Sequence, residues 1–246
     1  MPLAIVSALH DELSALLPRL EGARVQRVAG RDFHLGRLAG RDVVLVLSGI
    51  GKVAASATAA LLIDRFGAQS LLFTGVAGGL GEGVGVGDLV VADALLQHDL
   101  DASPLFPRWE VPLKGVSRFA TDAAARAALA QACDEVLAAP HPALAAFGLF
   151  GVRRHEGLVV SGDRFVATSR ESAALRQALP DALAVEMEGA AMAQVCADFG
   201  RPLSVLRTVS DRADDAAHVD FSRFVAEVAA EFSRDVVLAA LRLGLH

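Results

Sequence analysis

Tyrosine is absent from this chain, tryptophan occurs once, and aromatic residues make up 5% of its 246 positions. The core must therefore be built mostly of Ala, Val and Leu, and a hydrophobic content of 53% is enough for a large one. Charged residues are only 21%, which argues against disorder. Basic runs are missing too: Lys and Arg number 23 against 29 Asp and Glu, a net charge of −6. Without a basic stripe, nucleic acid is not an expected partner. No stretch reaches the roughly 18 apolar residues of a membrane span. The first apolar run, Leu3–Leu9, has no basic segment before it and meets His10-Asp11-Glu12 at once. That is too short and too soon charged for a secretory leader, so a cytoplasmic location is expected. The two cysteines, Cys133 and Cys196, lie in Ala-rich helical contexts and read as buried free thiols.

Apolar runs alternate with helical patterns. Strands are expected at Leu3–Leu9, Val43–Leu47, Leu71–Thr74, Asp88–Ala92, Leu158–Val160, Leu183–Val185 and Leu203–Val209. Several are continuously apolar, as strands covered on both faces are. Helices are expected at Glu12–Leu20, Lys52–Phe66, Thr121–Ala138, Thr168–Ala178, Gly189–Phe199 and Phe221–Leu243, the last with Asp220 as N-cap. This order predicts an α/β layered sheet. No Pro/Gly/Ser linker divides the chain, so one domain over 1–246 is expected. The stretch Asp99–Val116 is irregular, carries Pro104, Pro107 and Pro112, and holds Trp109. It reads either as a functional or interface loop or as a plain surface excursion.

Three separated apolar runs end in acids: Glu12 after the first, Glu186 and Glu188 flanking Met187, and Asp211 after Ser210. In α/β proteins ligands sit beyond the carboxyl ends of the strands, so these acids can meet in one pocket. Each also has a plainer reading. Glu12 suits a first helical turn, Glu188 the N-terminus of the next helix, and Asp211 a turn. If the strand persists past Val185, Glu186 and Glu188 point to one face; if it ends there, both sit on the turn into the helix. Small residues cluster in three places read as turns: Ser48–Lys52, Thr74–Gly79 and Ser161–Asp163. None has P-loop or dinucleotide spacing. His98-Asp99-Leu100-Asp101 has no second ligand cluster to make a metal centre and reads as structural.

Together these segments resemble the purine nucleoside phosphorylase superfamily, and within it the 5′-methylthioadenosine/S-adenosylhomocysteine nucleosidases. The resemblance runs through Ala8–Glu12, Ser48–Ala55, Thr74–Leu80 with Val86-Gly87-Asp88, His98-Asp99, Ser161–Phe165, Val185–Glu188 and Ser210-Asp211. It implies a three-layer α/β/α sandwich with a mixed, partly barrel-like sheet. It also implies hydrolysis of the N-glycosidic bond of 5′-substituted adenosines, a homodimer, and no metal or organic cofactor. Carried over residue by residue, Asp211 would protonate the base at N7, positioned by Ser210. Glu188, with Glu186 nearby, would serve the ribose, and Glu12 the attacking water. Met187 would lie against the sugar, Phe165 and the Val166 backbone would hold the base, and amides near Ala77 and Gly78 would line the turn. Ile50 and Phe221 would flank the 5′ substituent, and Leu105 or Phe106 would reach a neighbouring subunit's pocket. Val76 departs from the serine frequent in the family, and the Pro104–Pro112 loop also differs. Three other readings remain at this stage: a hydrolase of futalosine-type nucleosides, a nucleoside phosphorylase, and a silent nucleoside binder. A phosphorylase would need cations for phosphate, and Leu71-Leu72-Phe73-Thr74 and His10-Asp11-Glu12 supply none in the two places where that superfamily keeps phosphate contacts.

Overall fold

The computed structural model describes residues 2–214, 221 and 224–245. Its strands are β1 (Leu3–Ser7), β2 (Glu21–Val28), β3 (Arg31–Leu38), β4 (Arg41–Leu47), β5 (Ser70–Gly79), β6 (Leu89–Gln97), β7 (Arg118–Ala120), β8 (Arg154–Ser161), β9 (Ala182–Glu186) and β10 (Leu203–Asp211). Its helices are α1 (His10–Ser14), α2 (Lys52–Asp64), α3 (Ala123–Leu137), α4 (Pro142–Ala146), α5 (Ser169–Ala178), α6 (Gly189–Asp198) and α7 (Ala230–Arg242).

All ten strands join one sheet in the order β10-β6-β8-β9-β5-β1-β4-β3-β2, with β7 on β6. An extra pairing of β10 with β5 closes β5, β10, β6, β8 and β9 into a five-stranded mixed barrel. The strands β1, β4, β5 and β10 run parallel where they pair, and β1 and β10 are buried along their whole length. That burial explains the apolar run of β1 and the mostly apolar start of β10. Helices cover both sides. Ala55, Ala59 and Leu62 of α2 pack with Ala190, Met192 and Cys196 of α6 in one cluster. Leu129 and Cys133 of α3, Leu13 of α1, Leu144 of α4 and Phe232 and Val236 of α7 pack in another. The expected three-layer α/β/α arrangement with a partly barrel-like sheet is what forms. No described helix is long and apolar enough to cross a membrane.

Several elements depart from the sequence expectation. Thr74–Gly79 is not a turn, because β5 runs through it to Gly79. Its glycines serve close approach within a strand instead: a Cβ at Gly75 would sit 2.6 Å from Glu12 Oε1 and 2.7 Å from Arg207 Nη1. The helix expected over Glu12–Leu20 breaks into α1 and a 3-10 turn, Leu17–Arg19. Pro18 lacks an amide and disfavours the α conformation at Leu17, so an α-helix cannot run through. The C-terminal helix is π-helical over Val225–Ala229 before α7. It still buries Phe224, Val225, Val228, Phe232 and Val236. Asp220 lies outside the described residues. Strands β2, β3 and β7 and helix α4 have no counterpart among the expected elements. The hairpins β2–β3 and β3–β4 turn on Ala29-Gly30 and Ala39-Gly40, both pairs with positive φ, as two-residue hairpin turns require.

Cys133 and Cys196 are buried free thiols, each pushed up to about 12 by burial. Neither should react with a thiol-specific disulfide reagent at pH 8 in the native protein, and both should react in denaturant; rapid native labelling would place a thiol outside the core.

Candidate active site

Gly78 of β5 pairs with Asp211 of β10 on one side and Val185 of β9 on the other. Around this junction lies a cavity of about 490 Å³. Glu12, Ile50, Ala77, Gly78, Phe165, Val166, Glu186, Met187, Glu188, Ser210, Asp211 and Phe221 all line it, together with Val76 and Arg164. Every expected site residue is therefore here except Leu105, which is exposed, and Phe106, which is half-buried in the 99–116 segment. Phe165 and Phe221 meet edge to face at 5.8 Å between ring centroids, forming one wall. The 99–116 segment is anchored by the Trp109 indole N–H, which donates to the His98 carbonyl at 3.0 Å.

The four carboxylates have different partners. Glu12 is in the first turn of α1 and faces the cavity as well. Its Oε2 accepts from the amides of Ala8 and Leu9 at 2.9 and 2.8 Å, and its Oε1 from the amide of Val76 at 3.0 Å. The Val76 side chain supplies no hydroxyl, but its amide is engaged. Strand β9 ends with Glu186, one residue beyond Val185, and Glu188 lies past it on the turn into α6. There Glu186, not Glu188, caps the helix: it accepts from the amides of Glu188 and Gly189 at 3.1 and 2.8 Å. Glu188 is left to accept from the Gly51 amide at 2.8 Å. Asp211 Oδ1 accepts from the Ala213 amide at 2.7 Å, and Ser210 Oγ donates to Oδ2 at 2.8 Å.

Sequence reasoning missed Arg207. It is 1% exposed within β10 and reaches to Glu186, with Nη2 donating to Oε2 at 2.5 Å. Its guanidinium lies 3.9 Å from the Phe73 ring centroid. The signal was present: an arginine inside an otherwise apolar strand must be buried, and a buried charge needs a partner. Ser161 Oγ also donates to Glu186 and accepts the Ala190 amide.

Burial dominates the acid–base character of the site. It raises the Asp211 carboxyl above its ordinary range against the hydrogen bonds from Ser210 and Ala213. It raises Glu12 against the Leu9 amide and Arg207. Glu188 is pushed up to about 8 by burial and by the neighbouring Glu186 charge, with Arg207 and the Gly51 amide opposing. A carboxyl raised in this way keeps its proton to higher pH than a free one and can donate it.

Two outcomes follow for stability. Arg207→Met should cost about 3–5 kcal/mol in denaturant unfolding, because it strands Glu186 without its cation; a loss below about 1 kcal/mol would show that the pair is not needed. A carboxyl raised in the folded state stabilises fully below its unfolded value, and that stability is lost as pH rises through the folded value. Between the ordinary value of 4.5 and about 8, wild-type Tm should therefore fall relative to Glu188→Gln as pH increases, measured by calorimetry without ligand. A pH-independent difference would contradict the raised value.

The profile of the phosphorylase superfamily matches residues 2–242. A 5′-methylthioadenosine/S-adenosylhomocysteine nucleosidase of Geobacillus thermodenitrificans is 37% identical over 98% of this chain and 96% of its own. Among solved structures, the enzyme of that name from Neisseria meningitidis in complex with methylthio-immucillin-A superposes with a TM-score of 0.87 at 35% identity, covering 98% of each chain. That of S. pneumoniae with the transition-state inhibitor MT-ImmA gives 0.86 at 34% identity, covering 99% of each. Fold, pocket and sequence agree: the chain belongs to the phosphorylase superfamily and, within it, to the family of 5′-methylthioadenosine/S-adenosylhomocysteine nucleosidases.

Proposed function

We propose that this protein hydrolyses the N-glycosidic bond of 5′-substituted adenosines, releasing adenine and the 5′-substituted ribose. Relatives of the same length and fold carry the nucleosidase name, and two of their structures hold methylthio-immucillin ligands. The chemistry fits the groups in the cavity. As the C1′–N9 bond breaks, its electron pair goes to the purine and C1′ becomes cation-like. Asp211, raised by burial, supplies a proton at N7 and makes adenine a better leaving group. Glu188 accepts from the ribose hydroxyls, and the buried carboxylates favour the developing cation. Glu12 orients a water and takes its proton while the oxygen bonds to C1′. Met187 lies against the sugar, and Phe165 with the Val166 backbone holds the base. The apolar Ile50 and Phe221 suit a thioether at the 5′ end. No step calls for a metal or organic cofactor.

The observation that carries hydrolysis over phosphorolysis is the set of partners around Glu12. The amides of Ala8, Leu9 and Val76 converge as an anion cradle would, and a carboxylate already fills it. Arg207 is likewise taken by Glu186. A phosphate dianion entering here would meet charge of its own sign, whereas a water would find an acceptor. Adenine should therefore appear from methylthioadenosine at a rate independent of phosphate, with free methylthioribose as the second product. Phosphate-dependent release with ribose 1-phosphate formation would overturn the assignment. Asp211→Asn should keep inhibitor binding while losing most turnover; wild-type rates in that variant would remove the acid role.

The reading includes one domain over 1–246, a cytoplasmic location and a homodimer. Lys52 and Asp99 bring the start of α2 beside the 99–116 segment. On these two segments Ile50, Val53, Leu105 and Leu113 are exposed, Leu113 at 91%. A second copy covering them would bury this apolar surface and place Leu105 or Phe106 near the partner's 5′ pocket. Sedimentation should give a dimer, and Leu105→Asp with Leu113→Asp should give a monomer with a raised KM. A monomeric wild type would refute the assembly.

A further inference from the structure

Beside the mouth of the cavity, three charged side chains close a circuit of their own. The Lys52 amide, at the first residue of α2, donates to Asp163 Oδ1 at 2.7 Å. The Asp163 amide donates to Asp99 Oδ2 at 2.9 Å, and Lys52 Nζ returns to Asp99 Oδ1 at 2.6 Å. Three segments far apart in the chain are tied this way: the turn before α2, the residues after β6 and the loop after β8. Each tie abuts the site. Gly51, immediately before Lys52, is the residue whose amide holds Glu188. Phe165 and Val166, which line the cavity, follow Asp163 by two and three positions. The fit at the turn is close: Gly51 has φ +95°, and a Cβ there would lie 3.0 Å from Asp163 Oδ1. The Lys52 side chain is mostly covered, at 17% exposure. Although partial burial opposes ionisation, the Lys52 ammonium and the Asp163 amide hold the Asp99 carboxyl below its usual range.

We propose that Asp163, through Lys52 and Asp99, is a positioning residue that keeps the Gly51 amide on Glu188 and anchors the Phe165–Val166 wall. The inference rests on the reading of Glu188 as the ribose-binding carboxylate. Glu188 is faced by Glu186 of β9, Arg207 of β10, Glu12 of α1 and the Gly51 amide. Burial and the two glutamates disfavour its ionised form; Arg207 and the Gly51 amide favour it. Around the circuit itself stand Arg164, which pairs with Glu171, and His98, whose ring packs on Gly162. Loosening the circuit weakens the Gly51 contact, so ionised Glu188 becomes harder to form.

The two ways in which Asp163 can act have opposite signs. A plain electrostatic effect means that removing its negative charge eases Glu188 ionisation and moves the acidic limb of kcat to lower pH. A positioning effect moves that limb to higher pH. The test is the pH profile of kcat and KM for methylthioadenosine hydrolysis by the wild type, Asp163→Ala, Asp163→Asn and Lys52→Met. We expect Asp163→Ala to shift the limb up by about half a pH unit, which lowers kcat about threefold on the acid side. Asp163→Asn, whose amide oxygen still accepts from the Lys52 amide, should return the limb to the wild-type position or slightly below. Lys52→Met should shift it upward by less than the alanine variant. A limb unmoved or displaced downward in Asp163→Ala, with only Tm or KM changed, would overturn the inference. If that variant does not fold, a wild-type limb in Lys52→Met would overturn it instead. A wild type without turnover defeats the nucleosidase reading and this inference with it, whereas an active wild type matched by Asp163→Ala defeats the inference alone.

Discussion

One guanidinium makes the site tenable. Glu12, Glu186 and Glu188 are each less than a tenth exposed, and ionised carboxylates in such a place repel one another and lose their water. Arg207 answers part of that cost. It bonds Glu186 directly, packs on the Phe73 ring and, with Glu12, fills the space that a side chain at Gly75 would take. Helix α6 answers another part, because its first amides are satisfied by Glu186. The remaining tension is not removed but stored, and it appears as carboxyls raised above their ordinary range. Acids with divided tasks need this spread, since one that keeps its proton can donate and one held ionised can only accept.

The division of labour between Glu186 and Glu188 follows from where β9 stops. Had the strand continued, both would have faced one side and competed for Arg207. Because it ends at Glu186, the turn puts Glu186 beneath the helix terminus and leaves Glu188 facing the cavity, where it accepts from an amide of another segment. Close packing makes this possible. Gly75 and Gly78 lie within β5: a side chain at Gly75 would collide with Glu12 and Arg207, and one at Gly78 would crowd Asp211 and Ala213. Small residues in a strand here make room for charged groups from its neighbours.

What the sequence disclosed was the chemistry and the buried framework. Mostly apolar runs such as Leu3–Leu9 and Leu203–Val209 pointed to a sheet covered on both sides, and the acids at their ends pointed to a shared pocket beside the plainer readings each of them allowed. The family resemblance added the residues that carry no pattern, Ile50, Phe165 and Phe221 among them. Other parts escaped for physical reasons. β2 is exposed on both faces, so it shows no alternation. Its clue was elsewhere, in the tetrapeptide Ala-Gly-Arg-Asp at 29–32 and again at 39–42, one at each hairpin. Thr74–Gly79 looked like a turn because glycine permits turns, and nothing local says that it will be spent on proximity instead. Arg207 was passed over because a single charge does not interrupt a strand, although its place in a mostly apolar run, beside acids that lack cations, marked it as a buried partner.

The outermost strand has a consequence for life in a crowded solution. The five-stranded ring has no free margin, but the sheet continues past it through β1, β4 and β3 and stops at β2. An open margin offers unpaired backbone groups to any passing chain, the first step toward ordered aggregates. β2 carries Glu21, Arg24 and Arg27, and its pairing with β3 slips between Glu21 and Arg24, where Gly22 takes a positive φ. A strand that is charged and kinked in this way is a poor template. The same exposed, unpatterned residues that hide β2 from a reader of the sequence also keep it from being mistaken for a partner by another molecule of the same kind.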